Sequence, residues 1–137
     1  MSKHVYVRAY MAGIAMPTVF FPFVLVAFVA VHFGYGLAIP IERVLVFPLA
    51  LVPCLWGLWN MLYVLLRQHR RIPLGLHGAI VPLLVGPLAL LSARLLGFEI
   101  PPGFVRMFPL VVVLTMAIYY LVWKYVVRFF NELAGIE

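Results

Sequence analysis

Residues 9–33 read AYMAGIAMPTVFFPFVLVAFVAVHF, a run of 25 residues without an Asp, Glu, Lys or Arg side chain. At a rise of about 1.5 Å per residue, a helix of this length crosses a hydrocarbon core of about 30 Å with some tilt. Apolar residues follow one another here without period-2 alternation, which favours a helix over a strand of a β-barrel. The run therefore predicts a transmembrane helix.

Three more apolar runs of similar length follow at residues 44–66, 74–96 and 107–130, separated by short connections that contain Gly, Pro or charged residues. Over all 137 residues, 66% are hydrophobic and 10% charged, against roughly 45–50% and 25% in soluble domains. A mean hydropathy of +1.14 excludes a water-soluble fold and intrinsic disorder. We predict an all-α integral membrane protein, a four-transmembrane-helix bundle that forms one domain over residues 1–137.

The basic residues predict the orientation of this bundle. Four spans place both termini and the connection at 67–73 on one side, and the cytoplasmic side of membrane proteins carries the excess of Lys and Arg. Seven of the ten basic residues fall on that side and three on the other: Lys3, Arg8, Arg67, Arg70, Arg71, Lys124 and Arg128, against Arg43, Arg94 and Arg106. We therefore expect a multi-pass protein with cytoplasmic N- and C-termini, located in a plasma (inner) membrane.

A proline pattern recurs along the chain. The spacing G-x-x-x-P-x-x-x-x-P occurs at residues 13–22 and again at 78–87, 65 residues later. An interior proline removes a backbone hydrogen bond and bends a helix. The pattern leads to two hypotheses, that the helices are bent at these prolines and that 1–66 and 74–130 form a parallel two-hairpin repeat. Chance matches are the competing explanation, because the chain has 11 Pro and 10 Gly.

Asn60 is the strongly polar side chain deep within the predicted spans. Ionisable side chains in that position usually mark a transport or proton pathway, and the middle of the four spans has none. We expect Asn60 to hydrogen-bond a neighbouring helix. Contact with a transported solute is the alternative interpretation.

Two groups of charged residues lie at the ends of the spans. The cytoplasmic connection carries a basic loop formed by Arg67, Arg70 and Arg71. This loop could face anionic lipid or a partner, although the positive-inside rule alone would also place basic residues there. At the outer side we predict a cluster of ion pairs: Glu42, Arg43, Arg94, Glu99 and Arg106.

Catalytic, metal and cofactor sites are not indicated. Cys54 is the single cysteine, so no intrachain disulfide forms. The four histidines do not supply the matched pair that a haem needs or the tetrahedral set that zinc needs: His4, His32, His69 and His77. Nucleophile-elbow, H-E-x-x-H, C-x-x-C and P-loop motifs do not occur. We expect no enzyme activity, no catalytic residue, no metal and no cofactor.

These observations favour a small non-catalytic protein, either an accessory or scaffold subunit of a larger membrane complex or a self-associating bundle. Its expected partners are the lipid bilayer and either further copies of itself or other membrane subunits. Nucleic acid is not expected, because the basic residues are few and scattered among apolar runs. The alternative is a small oligomeric transporter or channel for a solute or lipid. A cofactor-holding subunit that uses His32 or His77 comes third.

Overall fold

The computed structural model describes residues 4–36, 39–69, 72–95, 97 and 102–136, and the regular secondary structure in these ranges is helical. Two segments have the wider π-helical geometry. In chain order the elements are α1 (Val5–Tyr35), α2 (Ile41–Val44), a first π-helical segment (Leu45–Ala50), α3 (Leu51–Arg67), α4 (Leu74–Ala79), α5 (Val81–Leu95), α6 (Pro102–Val122), a second π-helical segment (Trp123–Val127) and α7 (Arg128–Leu133).

These elements form four rods. Rod 1 is α1, rod 2 is α2 to α3, rod 3 is α4 and α5, and rod 4 is α6 to α7. Three stretches are long and apolar enough to cross a membrane, Val5–Tyr35, Leu74–Leu95 and Arg106–Leu133, while Leu51–Arg67 is a shorter apolar helix. The all-helical class and the count of four agree with the prediction. Rod 2 differs from a single long helix because its N-terminal part is built from α2 and a π-helical segment.

The prolines act differently in different rods. Helix α1 continues through Pro17 and Pro22, whereas rod 3 breaks at Ile80, two residues before Pro82. A proline has no N–H to donate and crowds the carbonyl four residues back. For Pro82 that carbonyl belongs to Gly78, and at the break next to it the Ile80 N–H reaches the His77 carbonyl oxygen at a long 3.4 Å. This break leaves the His77 carbonyl open to a second donor.

Burial divides the molecule into two halves along the rods. The buried residues of the described chain all lie in 4–17, 52–82 or 123–136. We call these three stretches together the closed half. The remaining stretches, 18–51 and 83–122, form the open half, and none of their residues whose burial the structure describes is buried. The helices thus pack closely at the end that carries the chain termini and lie further apart at the other end.

Each hairpin changes from close to loose packing at equivalent positions. A Cβ on Gly13 would lie 2.7 Å from a backbone oxygen of rod 2, and one on Gly78 would land on the Trp123 ring. Beyond these glycines, a cleft of about 300 Å³ begins at Pro17 and another of about 190 Å³ begins at Pro82. Similar structural features therefore recur in the two hairpins at a spacing of 65 residues. That the two hairpins are a sequence repeat stays a hypothesis.

Candidate functional site

Asn60 lies where rods 1, 2 and 4 meet. Its side chain is 0% exposed, and its Nδ2 donates to the Ala9 carbonyl oxygen and to Asn131 Oδ1, both at 2.7 Å. Asn131, on α7, returns a hydrogen bond from its own Nδ2 to Asn60 Oδ1 at 3.2 Å. Because a carbonyl oxygen can only accept, the Asn60 atom that faces Ala9 is the amide nitrogen. Two side-chain amides therefore join three rods.

Gly13 permits this close approach. The Ala9 carbonyl already accepts the helical hydrogen bond of the residue four positions on, so Asn60 uses its second lone pair. A Cβ on Gly13 would stand 2.9 Å from Asn60 Cβ and 3.0 Å from Gly57 Cα. A larger residue would separate the backbones and move the amide away from the carbonyl, which is why small residues mark close contacts between membrane helices.

Asn131 is held in place by the way in which α7 ends. Gly135 has a φ of +63°, in the left-handed region that glycine adopts without steric penalty. Its N–H bonds the Glu132 carbonyl at 3.0 Å, and the Ile136 N–H bonds the Asn131 carbonyl at 2.9 Å. This pair of bonds is the Schellman motif. It turns Ile136 back into the closed half, where 6% of its surface stays exposed.

Trp59 and His77 connect rods 2 and 3 by a reciprocal pair of hydrogen bonds. Trp59 Nε1 donates to the His77 carbonyl at 2.8 Å, and His77 Nε2 lies 3.0 Å from the Trp59 carbonyl. Since that carbonyl only accepts, Nε2 carries a proton. The two rings stack with centroids 4.7 Å apart. The Trp59 indole thus gives a hydrogen bond to the His77 carbonyl, which the helix break before Pro82 leaves weakly bonded. In a membrane, backbone carbonyls need such partners within the protein.

Trp123 is the centre of an aromatic cluster beside this pair. It is 0% exposed, and its ring centroid lies 5.7 Å from that of Trp56 and 6.0 Å from that of His77. Trp56 in turn meets Tyr119 edge-on at 5.1 Å. Gly78 lies against Trp123 with no space for a Cβ. Aromatic pairs at such separations contribute about 0.5–1.5 kcal/mol each beyond their burial.

We call the site formed by these contacts the helix junction. Its members are Asn60, Asn131, Trp59, His77 and Trp123. Four of these side chains donate hydrogen bonds to groups of the same chain, namely those of Asn60, Asn131, Trp59 and His77. Such an arrangement fixes helix positions, because each bond crosses between rods.

The basic loop predicted to face lipid is partly engaged within the chain. Arg67 Nη2 donates to the Ile136 carbonyl oxygen at 2.6 Å. Its guanidinium therefore helps to hold the segment that follows α7. Arg70 and Arg71 lie outside the described residues, and their role stays a prediction.

The charged residues of the predicted outer cluster are not brought together by the part of the chain that the structure describes. Glu42, Arg94 and Arg106 are exposed, and no ion pair joins any of them to another described residue. The Arg43 side chain and Glu99 lie outside the described residues. The ion-pair cluster at the outer side thus stays a prediction.

The histidines and the cysteine are spread over the fold. No group of three or more His, Cys, Asp or Glu side chains suited to a metal occurs among the described residues. His77 Nε2 carries its proton toward a carbonyl, so the lone pair of this ring lies on Nδ1. His32 stacks on Phe28 in the open half with centroids 5.9 Å apart, and Cys54 is exposed on α3. The predictions on metals and cofactors stay untested by these positions.

Asn131 is the residue of the helix junction that the sequence analysis did not single out. It lies one residue beyond the predicted end of the fourth span. Its signal is spacing, because Trp123, Val127 and Asn131 recur every four residues and are each 0% exposed. Residues four apart share a helix face. A stripe that continues from two apolar residues into an Asn could have indicated a buried amide.

No protein-family model, curated protein or solved structure matches this chain. Its class is therefore defined by its own fold, an all-helical chain with three helices long and apolar enough to cross a membrane and one shorter apolar helix. The described structure joins these helices by the paired amides and stacked rings of the helix junction.

Proposed function

We propose that the chain is a small, non-catalytic, multi-pass membrane protein that acts as an accessory or scaffold subunit or as a self-associating bundle, with the open half as its contact surface. The observation that carries the proposal is the uneven burial, since no residue of 18–51 or 83–122 whose burial is described is buried. The closed half holds the four rods together by its own contacts. The open half is then available to a partner without any loss of that packing.

The open half offers grooves as well as exposed apolar side chains. Exposure by itself is ordinary for a helix in lipid, because lipid tails are as apolar as Leu, and helix association there depends on close packing. The cleft that begins at Pro17 is lined by Phe21, Leu25 and Leu49, and the one at Pro82 by Gly86 and other apolar residues. A helix from a second copy or from another subunit would fill such a groove.

In this proposal the protein lies in a plasma (inner) membrane with both termini in the cytoplasm, as the basic residues predict. The proposal also includes bends of rods 1 and 3 at the prolines at 17 and 22, and at 82 and 87, as interior prolines favour. The bends would widen the open half and set the angle at which a partner helix enters.

The alternative is a small oligomeric transporter or channel. It is supported by the two proline clefts, whose mostly apolar linings suit a lipid chain better than a polar solute. A path for a polar solute would need Asn60, whose Nδ2 instead donates to Ala9 and Asn131. Loss of flux from proteoliposomes on Asn60→Leu substitution, with the fold retained, would support the transporter and contradict the scaffold.

Native mass spectrometry after gentle solubilisation tests the proposal, with an absorbance spectrum of the same sample to detect a coloured cofactor. We expect a stoichiometric foreign subunit or a defined homo-oligomer. Gly86→Leu, which fills a cleft, should release that partner. Val7→Leu is the control, because Val7 lies in the closed half and is 58% exposed. A chain that stays monomeric and without a protein partner in several mild detergents would contradict the proposal.

A further inference from the structure

A polar cleft of about 330 Å³ opens in the closed half, between the start of rod 3 and rod 4. We call it the Lys124 cleft, and its lining includes Tyr63, Pro73, Gly75, Tyr120, Lys124 and Arg128. At one wall of the cleft Gly75 lets rod 3 lie close to the Tyr120 ring, since a Cβ there would lie 2.9 Å from Tyr120 Cε2. The cleft is separate from the helix junction, where Asn60, Asn131, Trp59 and His77 donate hydrogen bonds within the chain.

The cleft carries positive charge. Lys124 and Arg128 are four residues apart, so they project from the same face of rod 4. The Lys124 ammonium lies 5.7 Å from the Tyr120 ring centroid and 5.2 Å from that of Tyr125. Among the described residues no carboxylate pairs with it. Arg128 contacts Glu132 at 3.0 Å, where both side chains are at least half exposed.

A second cleft of about 310 Å³ adjoins the first and adds to its charge. It shares Tyr63 and Pro73 with the Lys124 cleft and is lined by Arg67 as well. Among the described residues that line this region, three are cations, Lys124, Arg67 and Arg128, and they stand beside one carboxylate, that of Glu132. A negatively charged ligand is the one that such a region attracts.

The position of the cleft along rod 4 indicates the kind of anion. Lys124 lies near the end of a stretch, Arg106–Leu133, that is long and apolar enough to cross a membrane. Tyr and Lys side chains favour the depth of lipid headgroups, where the apolar part of the side chain contacts lipid and the polar end meets water. An anion found at this depth is the phosphate of a phospholipid.

We propose that the Lys124 cleft binds the headgroup phosphate of an anionic phospholipid, with Lys124 as its main cation. Basic residues next to anionic lipid each strengthen binding about fivefold. The inference is independent of the scaffold proposal, since it concerns the closed half and one lipid molecule. It gives the side of the protein that carries the termini a preference among lipids.

Competitive lipid binding tests this inference. The purified full-length chain in detergent is mixed with equimolar phosphatidylglycerol and phosphatidylcholine, and native mass spectrometry measures the ratio of the two bound lipids. We expect Lys124→Gln to lower the preference for phosphatidylglycerol about fivefold, and Lys124→Arg to preserve it. Arg106→Gln is the matched control, because it removes the same charge from an exposed position at the other end of α6.

Three outcomes would overturn the inference. Equal loss of preference in Lys124→Gln and Arg106→Gln would mean that overall charge, and not the cleft, attracts the lipid. Displacement of phosphatidylglycerol by equimolar glycerol 3-phosphate would mean that the cleft binds a soluble phosphate ester. Retained preference in Lys124→Gln would equally contradict the role of Lys124. Thermal unfolding of each variant, expected unchanged because the side chains are exposed, checks that the comparison is made on folded protein.

Discussion

The closed and open halves lie along the same four rods, but they differ in how the rods meet. In the closed half, Gly13 and Gly78 bring backbones together and paired amides bond across the contact. In the open half, Thr18 and Thr115 bond carbonyls of their own helices. Hydrophobic side chains occupy both halves. Contacts between rods therefore depend on close approach and on hydrogen bonds that cross from one rod to another.

This difference follows from the solvent that the sequence implies. Within a bilayer, moving an apolar side chain from lipid to a helix interface gains no hydrophobic free energy, so packing and interhelical hydrogen bonds decide which helices associate. The closed half has both, and the open half has only apolar surface and clefts. The following predictions each pair a change in the closed half with a matched change in the open half.

The largest difference is expected between two Gly→Ala substitutions on rod 3. At Gly78 the added Cβ lands on the buried Trp123 ring, whereas at Gly86 it meets Phe108 Cζ at 3.6 Å, an ordinary contact. We expect Gly78→Ala to lower the free energy of unfolding by about 3 kcal/mol through overpacking. Gly86→Ala should leave it unchanged or raise it by about 0.5–1 kcal/mol. Unfolding in mild detergent measures both, and equal effects would remove the distinction between the halves.

The next effect concerns the amide pair. Asn60→Leu removes the bonds to Ala9 and Asn131 and leaves the Asn131 amide buried without its partner, which should cost about 2 kcal/mol. Thr115→Val, in the open half, removes only a bond within one helix, from Thr115 Oγ1 to the Val111 carbonyl at 2.7 Å. We expect its effect to stay within about 0.5 kcal/mol.

A double-mutant cycle sharpens this test. If Asn60 and Asn131 act as a pair, the double Leu variant should lose less stability than the sum of the single variants, by more than about 0.5 kcal/mol. Additive losses would show that the two amides act independently and would contradict the central contact of the helix junction.

A smaller effect is expected at His77. His77→Phe keeps the ring that stacks on Trp59 but loses the Nε2–H that donates to the Trp59 carbonyl, so we expect a loss of about 1 kcal/mol. His32→Phe is the counterpart in the open half, where the ring stacks on Phe28. We expect no measurable change in unfolding there, and a loss as large as that of His77→Phe would contradict the account.

The smallest expected change in stability concerns two glycines at which helices end. Gly135 and Gly36 both have positive φ, +63° and +65°, and an L-residue there costs about 1–2 kcal/mol locally. We expect Gly135→Ala to lower global stability by about 1 kcal/mol, because the Schellman motif holds Ile136 in the closed half. Gly36→Ala should let only the last turn of α1 fray. Hydrogen exchange and thermal unfolding together separate the local from the global effect.

The four rods could be predicted because long uncharged runs have few other structures available in a membrane protein. The irregularities within these rods could not be predicted. The break at Ile80 and the π-helical segment Leu45–Ala50 depend on which neighbour satisfies a freed carbonyl, and that neighbour is distant in sequence. Apolar residues also serve equally against lipid and against another helix. The sequence therefore could not show that burial is confined to one half.

The helix junction was predictable in part. Asn60 is polar within an apolar run, which indicates an interhelical bond, but nothing in the run indicates its partner. Asn131 is 71 residues away along the chain and follows the last predicted span. Its role depends on Gly135, whose conformation ends α7 and directs the chain back. Such a contact is set by the tertiary arrangement of rods 2 and 4.

The central claim, that the open half is the contact surface, is tested most directly by photo-crosslinking in the native membrane. A benzophenone side chain is placed at Phe23 in the open half, where 72% of the surface is exposed, and separately at Val7 in the closed half, where 58% is exposed. We predict a discrete crosslinked protein band from position 23 and only lipid adducts from position 7. Bands of equal intensity from both positions, or a band from position 7 alone, would contradict the account.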